Sequence, residues 1–436
     1  MSARVLLISA DPVGERMAGL AIRYSELART LSDHAQVTLA HGGKNDGCEE
    51  TVRLLPFRPH APAALRDEIA RADMVLAHPQ WPLLTRWLRS ARGQVVFDLY
   101  DPETFETLEA TRRGGALRRR ALTSTTLDRL HDALRSGDRF VCASETQRDL
   151  WLGAALALRL IDGDAYDADP SMRSLIDVVP FGLPATPPPR DLGPGPRELL
   201  PGLAGDSELV LWNGGLWSWL DPLTAIRAVA LLAPQRPRLR LVFMGARGGE
   251  DLEGVRAAQM LARELGLLDR VVLFNPDWVP YAQRAAWLTQ ADCALSCHRE
   301  RLETRFAFRT RLLDCLWAGL PIVCTSGDDL AERVEREQLG AAVSPEDPRA
   351  LAAALAQVLE RGRQAYGSAL ARAARDYAWP RVSAPLVRWL QEPRTRPRAG
   401  RTRGAVSLPL AGRLRSAMYL AGGRLLLDRR GRRAAD

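Results

Sequence analysis

Lysine is all but missing from this chain of 436 residues: Lys44 stands alone, and arginine supplies the remaining basic side chains. Chemistry that runs through a Schiff-base lysine would have to use Lys44, in a polar loop, which argues against it. Runs of eighteen apolar residues are missing as well. Met1-Ser2-Ala3-Arg4 leads straight into Val5-Leu6-Leu7-Ile8, so neither a membrane span nor a signal peptide is expected, and the expected location is cytoplasmic. A Rossmann dinucleotide site needs G-x-G-x-x-G after the first strand and an acid ending the second. The chain has Gly14 and Gly19, spaced G-x4-G, and a second strand that runs into His41-Gly42-Gly43. NAD and FAD are therefore disfavoured, and the lack of a Walker-type G-x4-G-K-[ST] disfavours an ATPase. Six cysteines at 48, 142, 293, 297, 315 and 324 lie mostly in apolar runs, which suits reduced thiols. Cys293 and Cys297 with His298 lack a second ligand pair at suitable spacing, so no metal is expected. Asp162-Gly163-Asp164 and Asp167-Ala168-Asp169 lie in a polar stretch and read as a solvated acidic loop.

The net charge of +8 is misleading until it is located. Residues 394–436 hold twelve arginines and two aspartates, which leaves the rest of the chain slightly acidic. No basic stripe marks the body, so a nucleic-acid partner is not expected. In the tail, Leu410, Leu414, Met418, Ala421 and Leu425 recur at helical spacing among arginines. That pattern predicts an interfacial helix on an anionic membrane surface, peripheral at the inner membrane.

Short apolar segments at 5–9, 36–40, 72–77, 94–99 and 140–144 alternate with helical sequence, the pattern of a parallel sheet covered by helices. A second series has strands at 209–212, 240–244, 270–274, 293–296 and 321–325. The α/β class with two doubly wound, Rossmann-like domains facing a cleft follows. The expected divisions are 1–183, a Pro-rich linker at 184–205, a second domain at 206–379, a terminal helix at 380–393 and the tail at 394–436.

The most informative segment is ETRFAFRTRLLDCLWAGLPIV, residues 303–323. It predicts a helix opening at Arg309-Thr310-Arg311 and a turn at Gly319-Leu320-Pro321 into a buried strand. Helix N-termini attract anions, and arginine forks match phosphate oxygens. Asp314, one turn on, is placed to accept hydrogen bonds from sugar hydroxyls. The set suggests a sugar-diphosphate site; a surface helix with a basic cap and a solvated acid fits the same residues. Trp217 and Trp219, in the loop after the strand carrying Trp212, are candidates for stacking on sugars or bases, or for packing. Trp278, beyond another strand end, could shelter a base or simply pack. His78 follows one strand of the first half, and Asp98 and Asp101 flank the end of the next. All three are cleft candidates for acceptor binding or weak base assistance, and a lone histidine in such a place is often structural.

The chain resembles the GT-B retaining glycosyltransferases of family 4 over most of residues 4–390. The likeness is carried by GERMAGLAIRYSELARTL (14–31), RFVCASETQRDLW (139–151), VVPFGLP (178–184), VPYAQRAAWLTQADCALSC (279–297) and LLDCLWAGLPIVCT (312–325). It implies sugar transfer from a nucleotide diphosphate donor to a glycan or lipid-linked acceptor, with retention and without a metal or other cofactor, in surface polysaccharide assembly. Donor contacts are expected from Gly19, Gly215, Trp217, Trp219, Arg309, Thr310, Arg311 and Asp314, and acceptor-side chemistry from His78, Asp98 and Asp101. The departures are specific. Asp314 stands where the family's second Glu of E-x7-E is expected, Phe306 where the first is, and Tyr100 where its acceptor-side His is. The family's loop Arg and Lys are missing from Asn213-Gly214-Gly215-Leu216-Trp217-Ser218-Trp219-Leu220-Asp221. A nucleotide-sugar epimerase on the same fold, or a non-catalytic transferase kept as a glycan-binding scaffold, are the rivals.

Overall fold

The computed structural model describes residues 3–392 apart from 15–16, 45–46, 50, 59–61, 113–114, 190–192, 218 and 246–251. The basic tail and its expected membrane helix lie outside the described residues.

The first sheet contains β1 (Arg4–Ser9), β2 (Gln36–His41), β3 (Gly47–Glu49), β4 (Val52–Pro56), β5 (Met74–Ala77), β6 (Gln94–Asp98), β7 (Arg139–Cys142) and β8 (Ile176–Val178). Their order is β3-β4-β2-β1-β5-β6-β7-β8, parallel except for the β3–β4 pair. The second sheet contains β9 (Glu208–Gly215), β10 (Leu239–Gly245), β11 (Val272–Phe274), β12 (Cys293–Ser296), β13 (Ile322–Thr325) and β14 (Gly340–Val343). Its order is β11-β10-β9-β12-β13-β14, and every pair in it is parallel. Strand alternation covers both faces of the first sheet. Leu6, Ile8, Val75, Ala77, Val95 and Phe97 fill one apolar cluster, while Val5, Leu7, Leu76 and Val96 fill the other. That second cluster runs on through Val179, Phe181 and Leu183 into the core of the second domain.

Strand order reverses at β1/β5 and at β9/β12, and ligands of open α/β sheets bind outside the carboxyl ends at such points. The two crevices face each other. Phe105 of the first domain stacks on Phe306 of the second at 5.5 Å, and Tyr100 meets Phe308 edge-on. The Gln147 amide donates to both the Tyr100 and Phe306 carbonyls, each at 2.8 Å.

Two segments differ from expectation. The Pro-rich linker is anchored: helix Pro196–Leu199 packs on the second domain, where Arg197 donates to the Ala204, Gly205, Ser207 and Gln290 carbonyls. The terminal helix is two helices, Trp379–Val382 and Ala384–Gln391, broken at Ser383. They return to the first domain, where Trp379 packs on Phe181 and Arg388 pairs with Asp177.

Candidate functional site

The β9/β12 crevice is built from strand ends and one helix start. β9 ends at Asn213-Gly214-Gly215, with Gly214 at φ +144°, a conformation that side chains rarely adopt. A Cβ there would also lie 3.4 Å from the Arg311 guanidinium carbon, so glycine lets backbone and arginine close together. Helix Thr310–Ala318 presents its N-terminus to the same point and ends on Gly319 at φ +63°, a left-handed cap that turns the chain into β13.

Arg309 and Arg311 play different parts. The sequence assigns both to a diphosphate; the structure withdraws Arg309. Its side chain is fully buried, its Nε lies 2.5 Å from Asp328, and its Nη1 donates to the Thr325 carbonyl at 2.8 Å. Arg309 therefore fastens the helix start to the end of β13. Arg311 makes no ion pair among the described residues. It lies over Trp212, near the Gly215 carbonyl, and its own carbonyl accepts from the Asn213 amide at 2.7 Å. Burial, with Arg309 alongside, pulls its guanidinium down to about 10, so it remains a cation at neutral pH. Thr310 is part-buried, its N–H is occupied by the Phe308 carbonyl, and its side chain meets the Tyr100 hydroxyl. Asp314 accepts from Arg284 Nε at 2.9 Å and stays about a quarter exposed. Arg284 is held between the Tyr281 and Trp317 rings, at 3.5 and 4.5 Å. Trp217 and Trp219 stack nearly parallel at 5.6 Å, with Trp217 42% exposed. Gly215 abuts the Trp217 ring, which ties the glycine turn to the indole pair. Trp278 is likewise exposed, beyond β11.

On the facing wall, Gly19 opens helix Gly19–Ser32 in an exposed position beyond β1, and His78 follows β5. His78 exchanges a hydrogen bond with the Gln80 amide; burial and then Arg129 push it down to about 3, so it stays neutral. Asp98 does not belong to the open cleft. Its side chain is wholly buried and both oxygens accept from Arg23, at 2.7 and 3.1 Å. Arg23 donates in turn to the Val179 and Pro180 carbonyls. Asp98 thus ties β6 to a helix and to the segment leaving the first domain, a packing role in place of the acceptor role read from sequence. Asp101 keeps an exposed edge, while the cleft walls and then Glu106 and Asp98 drive its carboxyl well above the usual range.

Glu106, which sequence reasoning left out, and Glu303, which lies three residues before the position of the family's first Glu, line the junction of the walls. Burial, reinforced by the charge of Glu303, raises Glu106 to about 7; burial also raises Glu303 to about 7 against the pull of Arg309. A raised carboxyl is protonated in the folded chain while the unfolded chain has released its proton near the ordinary glutamate value of 4.5. Stability is therefore fullest below about 4.5 and falls as pH rises through about 7. Glu303→Gln should flatten that fall. Melting temperatures of both proteins between pH 5 and 8 check it, and parallel curves would exclude the carboxyl as the cause.

Residues 208–361 match the family model for glycosyl transferases group 1. The match falls within the second domain. The D-inositol 3-phosphate glycosyltransferase of Thermobispora bispora is 28% identical over 193 residues, which are 43% of this chain and 43% of that protein. The chain thus spans less than half the length of that relative. The structure of Anabaena Alr3699/HepE with UDP-glucose superposes with a TM-score of 0.63 at 15% identity, covering 89% of this chain and 99% of that one. WaaG, a glycosyltransferase of lipopolysaccharide biosynthesis, gives 0.58 at 16% identity, covering 89% and 100%. These likenesses confirm the GT-B fold.

Proposed function

We propose that this protein transfers a sugar, with retention, from a nucleotide diphosphate donor to a glycan or lipid-linked acceptor in surface polysaccharide assembly. The observation that carries the reading is Arg311: a cation without an ion-pair partner among the described residues, beside a glycine turn at the switch point of a parallel sheet. A diphosphate fits there because the guanidinium and nearby backbone dipoles supply charge that would otherwise need a divalent cation. HepE binds UDP-glucose on the same fold, and the role of WaaG in lipopolysaccharide biosynthesis supports the polysaccharide assignment. Trp217 and Trp219 offer an aromatic face for base or sugar. Asp314, with its second oxygen left over from Arg284, is the acid for ribose hydroxyls. In the retaining transfer, the donor's own phosphate takes the acceptor proton, so neither His78 nor Asp98 is needed as a base.

Calorimetric titration of UDP, ADP and GDP, followed by nucleotide release from the matching nucleotide sugars with lipid-linked acceptors, tests the proposal. Turnover should be unchanged by EDTA. Asp314→Asn should weaken binding of the preferred nucleoside diphosphate about tenfold, the size of one charged hydrogen bond, and leave inorganic pyrophosphate unaffected. Equal losses for both ligands would move Asp314 away from the ribose. Failure to bind any of the nucleotides would favour the non-catalytic rival.

A further inference from the structure

Beside Arg311, this crevice holds a buried imidazole without a partner among the described residues. His298 follows β12 and is 4% exposed, yet neither ring nitrogen has a hydrogen-bond partner among the described residues. Its position is well fixed. The backbone N–H donates to Thr325 Oγ1 at 2.8 Å, the same hydroxyl donates back to the His298 carbonyl, and Leu220 pairs with it across the loop after β9. Buried imidazoles are ordinarily satisfied, because an orphaned buried polar group costs about 1–3 kcal/mol. On the adjacent strand ends, Asn213 Oδ1 and Ser296 Oγ are also buried without partners among the described residues. All three lie at or just beyond the ends of β9 and β12, the paired strands of the switch point.

We propose that His298 is a donor-contacting residue whose ring N–H binds a phosphate oxygen of the nucleotide sugar, alongside Arg311. The inference rests on the donor-site reading above and adds a residue to it. The charged groups acting on the ring are Arg309 and Arg311, both on the start of the facing helix; with burial, they hold it well below its ordinary range and neutral. Arg309 is already matched by Asp328, so the uncompensated field at the imidazole comes from Arg311. An anion entering this crevice meets a guanidinium and an imidazole N–H from two different elements. Neither was available to it from the glycine loop, where the family's Arg and Lys are missing.

The test uses the full chain with inorganic pyrophosphate, UDP and uridine as probes. His298→Ala should weaken pyrophosphate and UDP about tenfold, the usual effect of losing one hydrogen bond to a charged group, and leave uridine unchanged. Its melting temperature should stay level or rise, since the orphaned ring is gone. In the wild-type protein, the ring nitrogen resonances of one buried histidine should shift when pyrophosphate is added, a readout that stands even if the variant fails to fold. Unchanged pyrophosphate affinity in a folded variant, or a wild-type spectrum in which no buried histidine responds to bound pyrophosphate, overturns the role of His298. Wild-type protein that binds neither pyrophosphate nor UDP overturns the donor site itself, and the two failures are therefore separable.

Discussion

Arg311→Ala should lower affinity for the nucleotide diphosphate about ten- to a hundredfold, because a charge-assisted contact to phosphate contributes roughly 1.5–3 kcal/mol. The same substitution should leave the melting temperature level or raise it. A part-buried guanidinium with no ion-pair partner among the described residues costs desolvation that the fold does not recover. Loss of binding with no loss of stability is the signature of a side chain kept for a ligand. Arg309→Ala, two residues away, should do the reverse. It strands Asp328 in a buried site and should destabilise the chain first, with any binding defect following from a loosened helix start. Calorimetry with pyrophosphate, paired with thermal melts of both variants, separates the two arginines. An Arg311 variant that melts early and binds normally would assign that residue to packing and leave the diphosphate without its cation.

The contrast between these arginines shows what the sequence could and could not reveal. The block 303–323 was legible as a helix with arginines at its start because local rules suffice: arginines at an N-terminus, then Gly319 and Pro321 ending the helix. Which arginine is free depends on Asp328, which reaches Arg309 only after β13 has formed. The same holds for Asp98, whose partner Arg23 lies 75 residues earlier. A strand-end aspartate looks catalytic until the fold brings its counter-ion. His298 was visible only as half of a failed zinc pattern, because nothing local announces that a ring will be buried without a partner. The strands followed from apolar runs, and those that escaped are short or weakly apolar: β3 (Gly47–Glu49) and β8 (Ile176–Val178) have three residues each, β4 (Val52–Pro56) is interrupted by Arg53, and β14 is Gly340-Ala341-Ala342-Val343. The linker's prolines signalled a connection, but its anchoring on the second domain runs through Arg197 and Gln290, 93 residues apart.

Asp98→Ala should destabilise the protein by about 3–5 kcal/mol, the usual range when one partner of a fully buried ion pair is removed. The reason is geometric. Asp98 and Arg23 are both wholly buried, and the aspartate answers two of the guanidinium's donors while Val179 and Pro180 answer others. Without Asp98 the cation remains in the core beside Tyr100, 4.6 Å from the ring centre, with no carboxylate to balance it. Pairing the change with Arg23→Met should recover part of the loss, because an apolar pair no longer buries a charge. Recovery should be incomplete, since the Val179 and Pro180 carbonyls then lose their donor. Urea unfolding of the two single variants and the double variant measures the coupling directly. An Asp98→Ala protein that loses less than about 1 kcal/mol, yet no longer transfers sugar, would return Asp98 to the chemistry. The buried fork would then have to open during the reaction, and the helix Gly19–Ser32 would have to move with it.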